Sequence, residues 1–203
     1  MLNCVISNSR GNLPRNIPND RKEKKMPLNE ILNPDIIDLE VQGETKDEVL
    51  RYMAGVLLKN GYINDVETFV KDIYEREAEG PTGMGSGISI PHGKSNSVLR
   101  NGIMIGKTVN PIRWESSISD DGYQDSHLIF LFCVSADEEF AKNHMMLLSE
   151  LAGKLGNDVR VTKLSQAGDR EEIMNLLLCE DDALGEVDSI IDEEEIVDLD
   201  IDL

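Results

Sequence analysis

Apolar residues recur along this chain with two periods, and the alternation between them sets the predicted elements. Ile36-Ile37-Asp38-Leu39 reads as a short strand. Thr45-Lys46-Asp47-Glu48 is a capping box, a Ser/Thr followed by Glu at the third position, that opens a helix. Val49, Tyr52, Met53, Val56 and Leu57 follow at helical spacing, and Gly61 stops the helix. A second helix is expected from Asn64, with Glu67 three residues on, a stripe of Val66, Phe69, Val70, Ile73 and Tyr74, and Gly80-Pro81 as its end. Three strand segments come next: Gly87 to Ile90, Gly102 to Gly106, and His127 to Val134. The last contains the unbroken apolar run Leu128 to Val134, as in a strand buried on both faces. A long helix from about Asp137 to Leu155 carries Phe140, His144, Leu147, Leu148, Leu151 and Leu155 on one side, and a final helix covers roughly Asp169 to Leu178. Strands interleaved with helices predict an α/β fold, a mixed sheet with helices on both faces.

Charge divides the chain further. The formal net charge is −19, but Glu180 to Leu203 holds 12 acidic residues and no basic ones. Without that stretch, 27 acidic residues face 20 basic ones, a net of −7. Residues 1–25 run the other way, with six basic and two acidic residues and no helical or strand period. The chain therefore divides into a disordered basic arm (1–25), one domain (26–179) and an acidic tail or linker (180–203). Met26 is a candidate start of the domain. A moderately acidic body disfavours nucleic-acid binding, which needs a clustered positive face. It fits docking to basic protein partners, or simple solubility. A seven-residue apolar run is too short for a bilayer, which takes about 20 residues as a helix, so no membrane insertion is expected. The N-terminus shows no signal-peptide pattern, and Cys4, Cys133 and Cys179 form neither a disulfide framework nor a zinc motif. A reducing cytoplasm is the simplest setting.

The chemistry is carried by few residues. There are three histidines, His92, His127 and His144. His92 closes the segment Gly83-Met84-Gly85-Ser86-Gly87-Ile88-Ser89-Ile90-Pro91-His92, and Gly93-Lys94 follows. Glycines allow backbone N–H groups close to an oxyanion, and Pro91 stiffens the frame before the ring. Imidazole titrates near 6.5, so an unprotonated nitrogen is available at neutral pH to take up a phosphoryl group. The alternative is a turn histidine without chemistry. His144 lies on the apolar stripe of its helix and is either a packing residue or a second imidazole aimed at His92, able to donate to a phosphoryl oxygen. Arg76 ends the second helix and is either an exposed arginine favoured by the helix dipole or a fork for phosphate oxygens. His127 reads as a strand-edge residue.

The segment from Glu75-Arg76-Glu77 through Pro81-Thr82-Gly83 and Met84-Gly85 to Ile88-Ser89-Ile90-Pro91-His92-Gly93 resembles the active-site signature of the mannitol/fructose-class IIA family of the bacterial sugar phosphotransferase system. Ser89 stands where the family usually has alanine. The resemblance runs from about Met26 to Leu178 and includes Asn143-His144. It is nearest the fructose-type branch. It implies a phosphotransferase that relays phosphate from phospho-HPr to a IIB component, with membrane IIC phosphorylating the sugar. It implies His92 as the phosphorylated residue, Arg76 and His144 as its helpers, and neither cofactor nor metal. The acidic stretch 115–126 looks like a longer loop than the family's. A nitrogen-related regulatory phosphoprotein shares the motif and is the alternative. A noncatalytic module of a transcription regulator lacks its basic helix-turn-helix. The histidine spacings match no compact metal motif, and no cysteine sits in a phosphate loop of IIB type.

Overall fold

The computed structural model describes residues 28–185, without the side chains of 138–143. The basic arm, most of the acidic tail, and the side chains of Phe140 and Asn143 lie outside the described residues. After a short 3-10 turn at Pro34–Ile36, strand β1 runs Ile37–Val41, helix α1 Lys46–Lys59 and helix α2 Val66–Glu77. Strands β2 (Gly83–Gly85), β3 (Ile88–Ser89), β4 (His92–Ser95), β5 (Gly102–Glu115) and β6 (Tyr123–Ser135) follow. Helices α3 (Glu138–Leu155), α4 (Asp158–Gln166) and α5 (Arg170–Leu178) complete the fold.

The sheet has six strands in the order β1-β5-β6-β3-β2, and β4 also pairs with β6. It is mixed: β1/β5, β3/β6 and β4/β6 are parallel, while β5/β6 and β2/β3 are antiparallel. Period-two alternation on β6 sends Leu128, Phe130 and Phe132 into one apolar cluster with Leu147, Leu151 and Ile173 of α3 and α5. Ile129, Leu131 and Cys133 enter the other, with Val49, Leu50, Met53, Phe69 and Ile73 of α1 and α2. Helices thus cover both faces, as the interleaved pattern predicts.

Local signals act where the pattern places them, with shifts. Thr45 accepts from the Glu48 N–H at 3.2 Å and caps α1, but the Glu48 carboxylate takes the Glu44 N–H. The cap of α2 is Asp65, one residue after the expected start. Of the three expected strands the first is shorter, Ile88–Ser89, and the other two are longer, Gly102–Glu115 and Tyr123–Ser135. Gly83–Gly85 is a strand, not a loop, and the β5/β6 hairpin extends to Glu115 and Tyr123, so both ends of the expected acidic loop are ladder and residues 116–122 turn the chain. His127 is not at an edge: β6 lies between β5 and β3, and its side chain is exposed. Helix α4 escapes the periodicity because its buried face is Arg160, Val161 and Leu164. Packing continues past 179 to Leu184, which is 6% exposed. Among the described residues no helix is long and apolar enough to cross a membrane.

Candidate active site

β3 and β4 run along the same side of β6 as one strand broken at Ile90-Pro91. Ile88 and Ser89 pair with Leu128 and Ile129; His92 to Ser95 pair with Phe132 to Ser135. Proline has no N–H to give the ladder. The Ile90 N–H turns instead to the Thr82 carbonyl at 3.0 Å, and the Pro91 carbonyl accepts from Phe132 at 3.0 Å. The break turns the Ile90 carbonyl to the next ring: His92 Nδ1 lies 2.8 Å from it. A carbonyl only accepts, so Nδ1 carries the proton and Nε2 keeps its lone pair.

His92 is half-buried, and an open cavity of about 770 Å³ lies before it, lined by residues of α2, β4 and α3. His144 of α3 stands against it, ring centroids 5.7 Å apart and planes at 68°. Phe132 backs His144 at 5.7 Å. His144 is 7% exposed, and its Nε2 is buried without a hydrogen-bond partner among the described residues. A buried polar atom left unpaired is uncommon and needs a reason. Arg76, at the end of α2, lines the same cavity. Its guanidinium is one-third exposed, donates from Nη1 to the Gly80 carbonyl at 3.2 Å and lies 3.9 Å from Glu79.

The electrostatics keep both imidazoles neutral at pH 7. Burial pushes His144 from the ordinary 6.5 down to about 4, and the charges of His92, Lys94 and Arg76 push the same way. Burial lowers His92 too; its bond to Ile90 works against this, and Arg76 works with it. A neutral His92 is a nucleophile, and a neutral His144 retains one N–H donor.

The structure therefore brings together the three expected residues, His92, His144 and Arg76. It does not bring the glycines to them. Gly83, Gly85 and Gly87 are absent from the cavity lining: the Gly85 N–H is bonded to Gln124 Oε1 at 2.7 Å, and a Cβ on Gly83 would meet the Glu115 carbonyl at 2.6 Å. Gly93, by contrast, lines the cavity beside His92 and also packs closely on α2, since a Cβ there would lie 2.9 Å from the Asp72 carbonyl. One cation was missed. Lys94 lines the cavity, and the signal was available, because residues two apart on a strand share a face. Met145, 74% exposed, borders the cavity. It sits one residue after His144, off the stripe that the apolar pattern follows.

A half-buried imidazole with a free lone pair, facing a second imidazole and a half-free guanidinium on a mixed sheet covered by helices, is chemically able to take up a phosphoryl group. Residues 30–179 match the family described as the phosphoenolpyruvate-dependent sugar phosphotransferase system, EIIA 2, and the chain belongs to that family. It is 27% identical over 163 residues to the 2-O-alpha-mannosyl-D-glycerate-specific EIIABC component of Escherichia coli, covering 80% of this chain and 24% of that protein. It is 32% identical over 152 residues to the fructose-specific EIIABC component of Bacillus subtilis, covering 75% of this chain and 23% of that protein. The chain thus spans about a quarter of these relatives. Among solved structures, the nitrogen regulatory protein IIA-Ntr of Neisseria meningitidis superposes with a TM-score of 0.63 at 26% identity, over 73% of this chain and 97% of that one.

Proposed function

We propose that the chain is the IIA phosphocarrier of a sugar phosphotransferase system. His92 Nε2 accepts phosphate from phospho-HPr and passes it to a IIB component during uptake of fructose or a related sugar. The observation that carries this is the pairing of a pinned His92 Nδ1 with an unpartnered, buried His144 Nε2 across the same cavity. The Nε2 lone pair forms the new N–P bond while the donor's P–N bond breaks, and the donor imidazole leaves with its electron pair. Charge on the transferring oxygens falls to Arg76 and Lys94, and the His144 N–H supplies a donor. The protein's task is positioning and charge stabilisation. IIC enters only through IIB, and the relay reading puts the chain in the cytoplasm. The kinship with two EIIABC components of sugar systems favours the sugar role.

The likeness to a nitrogen regulatory IIA favours a second reading, in which the phosphorylation state controls a partner protein. Incubation with phosphoenolpyruvate, enzyme I and HPr, followed by intact mass, tests the shared core. A single acid-labile, base-stable phosphoryl adduct is expected on the wild type and none on His92→Ala. An unchanged adduct on His92→Ala overturns the assignment. Onward transfer to a IIB component with formation of sugar phosphate separates transport from regulation.

A further inference from the structure

Outside the cavity, a second set of buried polar groups joins α1, α2, β5 and the start of β2. Trp114 is fully buried, Thr82 is 6% exposed, and the Glu77 side chain is 6% exposed. Trp114 Nε1–H donates to Thr82 Oγ1 at 3.1 Å. The Thr82 hydroxyl donates in turn to Glu77 Oε1. Lys46 bonds the other Glu77 oxygen at 2.9 Å and Glu115 at 2.7 Å, and its ammonium lies 4.6 Å from the centroid of the Trp114 ring. The direction of each bond is forced. An indole N–H can only donate and an ionised carboxylate can only accept, so the hydroxyl must accept from Trp114 and give its proton to Glu77. Both ends of Thr82 Oγ1 are spent, and the residue is held at two points.

The Thr82 backbone connects this set to the site. Its carbonyl accepts the Ile90 N–H at 3.0 Å, and the Ile90 carbonyl accepts from His92 Nδ1 at 2.8 Å. Two hydrogen bonds therefore separate a locked residue from the ring whose tautomer decides the chemistry. We propose that Thr82 is a positioning residue for the reaction. Its hydroxyl, clamped between Trp114 and Glu77, holds the Thr82–Ile90–His92 line of hydrogen bonds that keeps the proton on Nδ1 and the lone pair on Nε2. Glu77 extends the clamp to the last turn of α2, where its neighbour Arg76 faces the cavity. Thr82 itself does not line that cavity.

The kinetic arm of the test rests on the relay reading above; the spectroscopic arm does not. Thr82→Val keeps the shape and removes the hydroxyl, leaving the Trp114 donor and a Glu77 oxygen unpaired. Thr82→Ser keeps the hydroxyl. Imidazole ¹⁵N spectra of the unphosphorylated protein, taken above the titration of His92, report which nitrogen is protonated. The wild type and Thr82→Ser are expected to show the Nδ1–H form alone, and Thr82→Val a mixture of both tautomers. Phosphoryl uptake from phospho-HPr should fall about tenfold in kcat for Thr82→Val, the weight of one buried hydrogen bond, with KM for the donor unchanged. Thr82→Ser should restore the rate. A pure Nδ1–H tautomer in Thr82→Val, or an equal loss in Thr82→Ser, overturns the proposal. If Thr82→Val does not fold, Trp114→Phe removes the donor to Oγ1 together with part of the buried ring, leaves the Thr82 hydroxyl in place, and should move the tautomer ratio the same way; an unmoved ratio refutes the clamp. A wild type with the Nδ1–H tautomer that takes no phosphate from HPr would refute the relay and leave the clamp standing.

Discussion

Arg76 and Arg160 sit on helices that cover opposite faces of the sheet and use the same guanidinium in opposite ways. Arg160 is fully buried, and all three of its nitrogens are bonded: Nε to the Leu176 carbonyl at 2.8 Å, Nη1 to the Lys154 carbonyl at 3.3 Å and Asp181 at 2.7 Å, Nη2 to the Cys179 carbonyl at 2.7 Å. It ties the ends of α3 and α5 to the segment beyond them. Arg76 is one-third exposed and gives one hydrogen bond, to the Gly80 carbonyl. A fork that is fully spent holds structure, and a fork left mostly open at a cavity is available to an oxyanion. Burial of a charge alone does not mark a functional site; unspent bonding capacity beside a nucleophile does.

Exchanging the roles should break the comparison most visibly at Arg160. Arg160→Met removes one hydrogen bond from each of three backbone carbonyls, at about 1 kcal/mol or more each, and leaves Asp181 without its guanidinium partner. A loss of roughly 3 kcal/mol or more is expected in urea denaturation, while the fraction that remains folded takes up phosphate at the wild-type rate. A change under about 0.5 kcal/mol, the range of an ordinary surface substitution, would show that the clasp is dispensable. Arg76→Ala should do the reverse. One charge-assisted hydrogen bond lost from the transition state is worth about 1.5–3 kcal/mol, or about 10- to 150-fold in rate, with stability moved by no more than about 0.5 kcal/mol. Rapid-quench transfer kinetics decide this, and wild-type rates would return Arg76 to the status of a helix-end arginine.

The smallest effect is in acid, where His144 at the cavity and Asp181 at the Arg160 clasp should fail in different windows. Folding holds His144 neutral down to about 4, whereas the unfolded chain takes up that proton near 6.5. The unfolded state therefore binds more protons between these values, and stability falls as pH drops through that window. At the Arg160 clasp, hydrogen bonds from Arg160 and Asn157 hold Asp181 below the ordinary 3.8. Its contribution is present above 3.8 and is lost as pH falls below it. Denaturation midpoints across pH should show a shallower slope between 6.5 and 4 in His144→Gln. Asp181→Asn should leave that slope alone and lessen only the loss at lower pH. An unaltered slope in His144→Gln would mean that burial does not disfavour its charged form.

The site was more legible in the sequence than the scaffold's details. His92, Arg76 and His144 are candidates because each interrupts or ends an apolar pattern with a group able to bind phosphate, and the family resemblance of the segments around them singles them out. The sheet's extent was hidden where the pattern breaks. β5 carries Pro111 and a shift of register between Lys107 and Ile112, so its outer half does not look like a strand. Helix α4 was hidden by Arg160, a buried residue of the most polar kind, whose partners lie in three other segments. The glycine-rich run has the composition of an anion cradle. A run of glycines signals close approach without naming what approaches, and here it is the hairpin of β5 and β6.

The contact between Gly93 and α2 sets the mechanical tolerance of the site. Strand and helix meet backbone against backbone, so no rotamer stands between them to absorb an error. Packed interiors have low compressibility, and a contact without side chains leaves less slack still. The span from the helix bearing Arg76 to the strand bearing His92 behaves as a rigid gauge block. Even one methyl at position 93 would act as a shim, moving one charged group relative to the other while leaving both chemically intact.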